Sequence, residues 1–362
     1  MPGVYLSYPF CAQKCTYCNF ASGVFPRELE SRYIGALRSE LNATDWPWTP
    51  ETVYLGGGTP SQMDLDALSN LLAQIPGREW QEATMEAAPG SLTREKVEAW
   101  RRAGINRVSL GVQSFVSKEL ARTGRKHTAE TVLGDVEMLR AEGISNINLD
   151  LIAGLPFQTR ESWLESLSWL ERIGAPHTSV YMLEVDDDSN LGRELLVLGS
   201  RYGAASVPCE DDIAEFYETA VEALQRFGLH RYEISNFARP GFESRHNLKY
   251  WRREPYLGFG ADAHSFDGES RWQNPESAAD YVGQGHALPS TPADPVAERF
   301  FLGLRLSEGI EGPWDPFAGA IHQFIKDGLL EAAGSRVRLT PRGVMLSNEV
   351  FAEFVGAPAC PS

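Results

Sequence analysis

Short β-rich runs alternate with amphipathic helical patterns from Val4 to about Met182, and nothing else in the sequence constrains the fold as strongly. The strand candidates are residues 4–8, 52–55, 84–87, 107–112, 146–152 and 178–182. Between them, Leu65, Leu68 and Leu72 share one helical face with Leu71 beside them, and Val132, Val136 and Leu139 share another. Six βα-type repeats, spaced roughly 25–40 residues apart, predict a parallel sheet covered by helices. Periodicity leaves two layouts open, a doubly wound sheet and a full or partial (β/α) barrel. In both, ligands sit at the carboxyl ends of the strands. Chemistry-bearing residues recur at those ends: Gly56, Gly57, Gly58, Thr59 and Pro60 after the second run, Glu86 in the third, Gln113 after the fourth and Asp150 in the fifth. Each alone reads as a loop or cap residue. Together they predict one shared site.

Beyond the repeats, residues 210–227 carry Ile213, Phe216, Ala220 and Leu224 at helical spacing, the stripe of a core-facing helix. Irregular, aromatic-rich sequence follows in YEISNFARPGFESRHNLKYW (232–251) and GFGADAHSF (258–266). The tract PSTPADP (289–295) reads as a linker. After it, 297–306 and 318–328 look helical, and 337–339 is a strand candidate. Thr340 is placed to cap a last helix with Pro341 at its first position. This tail suggests a small helix–hairpin module resembling a winged helix. The expected units are 1–230, 231–288 and 289–362.

With 33 basic against 49 acidic residues, the net charge of −16 has the wrong sign for a chain held by a phosphate backbone. No nucleic-acid partner is expected. No apolar run reaches 18 residues, so no membrane span is predicted. The first residues lack a secretory pattern, which points to the cytoplasm.

Three of the five cysteines, Cys11, Cys15 and Cys18, fall within eight residues, while Cys209 and Cys360 read as ordinary free thiols. Such crowding in a reducing compartment indicates metal or redox chemistry. Structural zinc wants four closed ligands, and the first histidine is His127, far along the chain. A cubane iron–sulfur cluster held by three thiolates leaves one iron open to a small molecule. The loop follows a strand, and Phe10, Tyr17 and Phe20 are expected to shield the cluster from water.

The spacing C-x3-C-x2-C, with an aromatic residue before the third Cys, resembles the radical S-adenosylmethionine superfamily, and residues 56–60 match its glycine motif. The resemblance implies a partial (β/α)6 barrel, a [4Fe-4S] cluster and bound S-adenosylmethionine. It sharpens to the oxygen-independent coproporphyrinogen oxidase-like branch over nearly the whole chain. Tyr5 lies six residues before the first Cys, Glu86 sits in EAAP, Gln113 in LGVQSF, Arg125 in GRKH and Asp150 in NLDLIAGLPFQT. Carried over, Tyr5, Gly57, Gly58, Thr59, Glu86, Gln113, Arg125 and Asp150 are the residues expected to hold S-adenosylmethionine. An arginine can bond a carboxylate bidentately, and carboxylates accept bonds from ribose hydroxyls.

Within that branch, HNLKYW (246–251) matches the H-N-x-x-Y-W signature of the HemW haem-chaperone subgroup. Phe20 stands where true coproporphyrinogen oxidases carry a further Cys, and only ten residues precede Cys11. The subgroup implies that His246 contacts haem, with His264 a second candidate ligand. It further implies an acceptor haemoprotein and an electron donor of the flavodoxin or ferredoxin type. No catalytic residue is assigned. The alternatives are coproporphyrinogen III oxidation or another radical reaction on a tetrapyrrole. The chain departs from its relatives at Ser7 and Tyr8, where His-Ile is usual, and at Ala88, where Asn is usual.

Overall fold

A computed structural model describes residues 2–285 and 289–355; Cys360 lies outside them. Six parallel strands come first: β1 (Gly3–Tyr8), β2 (Thr52–Gly57), β3 (Glu82–Ala87), β4 (Arg107–Gln113), β5 (Asn146–Ala153) and β6 (His177–Met182). They pair in sequential order, each with the next. A doubly wound sheet reverses its strand order midway. This sheet does not, so the barrel layout holds. The barrel is partial, because further strands occupy both edges. β9 (Tyr256–Phe259) runs parallel beside β1, while β8 (Asn236–Ala238) runs antiparallel beside β6, with β7 (His230–Arg231) outside it. Antiparallel β10 (His264–Phe266), β11 (Ser270–Gln273) and β12 (Thr291–Pro292) extend the β9 side.

The crossover helices are α1 (Arg27–Ala43), α2 (Leu65–Leu72), α3 (Arg94–Ala103), α4 (Ser117–Thr123), α5 (Ala129–Ala141) and α6 (Arg160–Ile173). Local chemistry starts several of them. Asp64 accepts the first free N–H groups of α2, and Thr128 and Thr159 form reciprocal capping boxes at α5 and α6. The leucine and valine faces read from the sequence are buried at Leu68, Leu71, Leu72, Val132, Val136 and Leu139.

The registers also sort the strand side chains. Val4, Leu6, Val53, Leu55, Met85, Val108, Leu110, Ile147, Leu149 and Val180 are fully buried with the helices in one core. The alternate positions are polar. Glu86, Ser109, Asn148 and His177 are paired neighbours across β3 to β6, so they share the other face. Hydrogen bonds across this face make it a polar lumen.

After β6 come α7 (Asn190–Leu196), α8 (Glu210–Arg226) and α9 (Arg245–Trp251). Next are α10 (Ala278–Gln284), α11 (Pro295–Gly303) and α12 (Ala318–Lys326). A three-stranded antiparallel sheet, β13 (Ile310–Glu311), β14 (Leu330–Ala333) and β15 (Arg336–Leu339), packs with α13 (Pro341–Met345) and α14 (Ser347–Ala352). This is the small C-terminal α+β module, and Thr340 caps α13 as expected, accepting the Gly343 N–H at 2.9 Å. The linker reading of 289–295 needs correction. Thr291 and Pro292 pair with β11, Asp294 caps α11 and Pro295 opens it. Proline serves an edge strand or a first helical turn as well as it serves a linker.

Candidate cofactor site at the strand carboxyl ends

The cysteine loop leaves β1 at Pro9 and folds back on itself. Cys11 N–H donates to the Gly23 carbonyl at 2.8 Å and Gly23 N–H to the Pro9 carbonyl at 2.9 Å. Inside this closed loop Cys11, Cys15 and Cys18 are free thiols, all half-buried. Burial pushes the Cys11 thiol up; hydrogen bonding to Thr59 and Ser22 opposes this, and the nearness of Cys18 and Cys15 adds to it. Among the described residues, no three ligating side chains close on one point. Phe10 is buried and Tyr17 half-buried beside the loop, but Phe20 is 66% exposed and shields nothing.

The glycine run clamps this loop in place. Gly58 N–H donates to the Tyr8 carbonyl at 2.8 Å and Thr59 N–H to the Phe10 carbonyl at 2.9 Å. A side chain at Gly58 would meet the Phe10 carbonyl at 2.7 Å, which leaves room only for glycine. Gly57 has a φ of +109° and donates its N–H to Glu86 Oε2 at 3.2 Å. The other oxygen of Glu86 accepts the Tyr54 hydroxyl at 2.8 Å. Burial raises the Glu86 carboxyl to about 7. Tyr5 stacks on Tyr54 in the same lumen, with ring centroids 6.1 Å apart.

At the end of β4 the register shifts between Leu110 and Gln113, and Gln113 takes a φ of +70°. Strain in a non-glycine residue at a strand end is a mark of functional sites. Above Gly111 the side chains of Gln113 and Arg125 come together, and Arg125 Nη1 donates to the Gly111 carbonyl at 2.6 Å. The Arg125 guanidinium neighbours Cys15 and Tyr17. Four buried polar atoms in this neighbourhood have no partner: Tyr17 Oη, Gln113 Oε1, Arg125 Nε and His127 Nε2. Burial, with the charge of Arg125, lowers His127 to about 4, so this ring is neutral. Buried polar groups are nearly always bonded, and such a cluster of exceptions fits a site for a polar ligand. Asp150 completes the set on β5, accepting Asn148 Nδ2 at 2.7 Å and the Ser109 hydroxyl at 3.0 Å. His127, Arg107 and Asn148 escaped sequence reasoning, which gives Tyr17 only as a shield for the cluster. Their signal was the polar residue at alternate strand positions, or beside a motif residue.

His246 is placed elsewhere. α9 closes the amino ends of the barrel, where its N–H groups meet Glu82 and its His246 ring stacks on Tyr54 at 5.2 Å. Both ring nitrogens are bonded, Nδ1 with the Thr52 hydroxyl and Nε2 with the Tyr250 hydroxyl, each at 2.8 Å. The ring is 1% exposed, and burial lowers it to about 3. The opposite face of α9, with Arg245, Leu248 and Arg252, lines a cleft of about 630 Å³ together with Tyr232 and Leu306. His264 is exposed on β10.

A sequentially wound partial barrel, a three-cysteine loop after β1 and a glycine clamp after β2 define the class: a radical S-adenosylmethionine protein. Residues 5–170 match the radical SAM superfamily and residues 290–346 the HemN C-terminal domain. The chain belongs to the HemW family. It is 34% identical to the heme chaperone HemW of Bacillus subtilis over 98% of this chain and all of that one. Identity is also 34% to that of Escherichia coli, over 72% of this chain and 69% of the other. The solved coproporphyrinogen III oxidase HemN of Escherichia coli superposes with a TM-score of 0.82 at 20% identity, covering 98% of this chain and 90% of that one, which shows the shared fold. Among the described residues, no helix is long and apolar enough to cross a membrane.

Proposed function

We propose that this chain is a haem chaperone: it binds haem and passes it to an acceptor haemoprotein, with a [4Fe-4S] cluster and S-adenosylmethionine held at the strand carboxyl ends. The cluster is assigned to Cys11, Cys15 and Cys18. Tyr5, Gly57, Gly58, Thr59, Glu86, Gln113, Arg125 and Asp150 surround the nucleoside. A [4Fe-4S] cluster held by Cys11, Cys15 and Cys18 would supply one-electron reducing power to bound S-adenosylmethionine, with a flavodoxin or ferredoxin type of protein as its electron donor. The observation that carries the cofactor reading is the group of unpartnered polar atoms on Tyr17, Gln113, Arg125 and His127 beside the cysteine loop. Arg125 suits the methionine carboxylate, and Asp150 suits a ribose hydroxyl.

The haem reading is supported by similarity to proteins named heme chaperones and by the cleft on α9. Its volume lies within the roughly 300–1,000 Å³ of small-molecule pockets; Arg245 and Arg252 line it together with Glu51, Glu243, Glu254 and Glu308, and Arg252 is paired with Glu308. His246 is buried with both ring nitrogens bonded and is not among the residues lining the cleft, so haem ligation by this ring would require it to give up its bond to Thr52 or to Tyr250. Residues 1–230, 231–288 and 289–362 serve as barrel, connecting region and C-terminal module, with β8 to β12 of the latter two also extending the barrel sheet, in the cytoplasm.

An anaerobic haem titration of the cluster-reconstituted protein, followed by Soret absorbance with His246→Ala in parallel, tests this. Saturable binding that is weakened or spectrally altered in the variant is the expected result. Absence of saturable binding in the intact protein removes the chaperone reading and leaves porphyrinogen oxidation to be assayed.

A further inference from the structure

A line of hydrogen bonds, branched at Asn148, runs through the barrel lumen and ends on Asp150. Asn148 Nδ2 lies 2.7 Å from Asp150 Oδ1, 2.8 Å from the Ser109 hydroxyl and 3.1 Å from the Ser179 hydroxyl. The amide nitrogen must face these oxygens, since a flipped amide would set oxygen against the carboxylate. Asn148 Oδ1 therefore faces His177 Nδ1, 2.7 Å away, and that nitrogen has to carry the hydrogen. His177 Nε2 is then an acceptor, and the Tyr232 hydroxyl donates to it at 2.9 Å. Tyr232 in turn accepts the N–H of Ser244, the cap of α9, at 3.1 Å. Every link points the same way, toward the carboxylate. Chains aligned in this manner reinforce one another in a low-dielectric interior.

The line holds only while His177 is neutral. Burial, with the charge of Arg107 nearby, keeps the ring well below its ordinary range. Asn148 and His177 are both buried, and His177 has no exposed surface. The Asp150 carboxylate receives Asn148 on one oxygen and Ser109 on the other. Each oxygen accepts one of these bonds and keeps lone pairs for a ligand.

We propose that Asn148 and His177 are positioning residues for Asp150, fixing its carboxylate in the orientation that receives a ribose hydroxyl. The role presupposes the S-adenosylmethionine site proposed above. His177 touches no ligand itself. It orients Asn148, which orients the carboxylate.

Two measurements test the role. In the full-length protein without cofactors, ¹⁵N-histidine NMR reads the His177 tautomer, the resonance being assigned by its absence in His177→Gln. The expected state at pH 7 is neutral with hydrogen on Nδ1. A charged ring, or hydrogen on Nε2, overturns the proposal. In the cluster-reconstituted protein, anaerobic calorimetry reads S-adenosylmethionine affinity. His177→Leu is expected to weaken binding about tenfold, and His177→Gln, whose amide can both donate and accept, to stay within about threefold of the parent. Equal affinity in the parent and His177→Leu sinks the positioning role while leaving the cofactor site intact. No S-adenosylmethionine binding by the parent overturns the cofactor reading instead, and the positioning role with it.

Discussion

At the carboxyl ends of the strands, Tyr17, Gln113, Arg125 and His127 each keep a buried polar atom without a partner. At the amino ends, His246 has both ring nitrogens bonded and its backbone N–H held by Glu82. The unpartnered atoms near α9, Trp251 Nε1 and Ser307 Oγ, belong to its junction with the C-terminal segment, where Arg305 lies over the Trp251 ring. A buried group that lacks a partner costs free energy unless something fills the gap. At one end such groups gather around the cysteine loop; at the other His246 is fully bonded, although Arg107 Nε and Asn146 Oδ1, on the first residues of β4 and β5, also lack partners. Sequence motifs of equal prominence thus mark two different things, an open site and a structural plug that has to open to bind.

The largest contrast lies in what each end loses on mutation. Cys15→Ala is expected to reduce reconstituted iron and sulfide to background. It should shift the unfolding free energy of the unloaded protein by no more than about 1 kcal/mol, since a half-buried loop thiol contributes little packing. Iron retained at parental levels would break the assignment of the cysteine loop. His246→Ala should do the reverse. It leaves the Thr52 and Tyr250 hydroxyls without their ring partner and opens a cavity under Tyr54. A loss of about 2–4 kcal/mol in urea unfolding is expected, with iron content unchanged. A neutral effect on stability would show that the ring is not a plug, and would favour direct exposure to haem.

Much of this was legible beforehand. The six barrel strands and their helical faces show as apolar periodicity, and the cysteine and glycine loops show as spacing. Strand order was not legible, because periodicity records which residues are buried but not which strand lies beside which. β8 and β9, at the two edges, are short and sit in aromatic, irregular sequence. The polar lumen left a trace that is plain only once the register is known. Buried parallel strands ordinarily read as continuous apolar runs, yet Arg107 and Ser109, or Asn148 and Asp150, interrupt theirs at every second position. Phe20 and the proline tract at 289–295 misled for a related reason. Composition gives the chemistry of a residue but not its direction or its partner strand.

A smaller effect, opposite in sign for Glu86 and His246, comes from protons. Glu86 is raised by burial to about 7 from an ordinary 4.5. The folded protein therefore holds a proton that the unfolded chain releases across that interval. Its contribution is fully present below pH 4.5 and is lost as pH rises through 7. His246, lowered to about 3 from 6.5, refuses a proton that the unfolded chain takes up. Its contribution is present above pH 6.5 and is lost as pH falls toward 3. Urea unfolding of the unloaded protein from pH 4 to 8 separates the two. Glu86→Gln should remove a decline of about 1–3 kcal/mol toward neutral pH, and His246→Gln should reduce the decline toward acid without abolishing it, since His127 and His177 are lowered as well. If Glu86→Gln leaves the profile unchanged, the Glu86 carboxylate is already ionised in the fold. The end of the barrel assigned to the cofactor would then be less enclosed than Tyr54 and Gly57 make it.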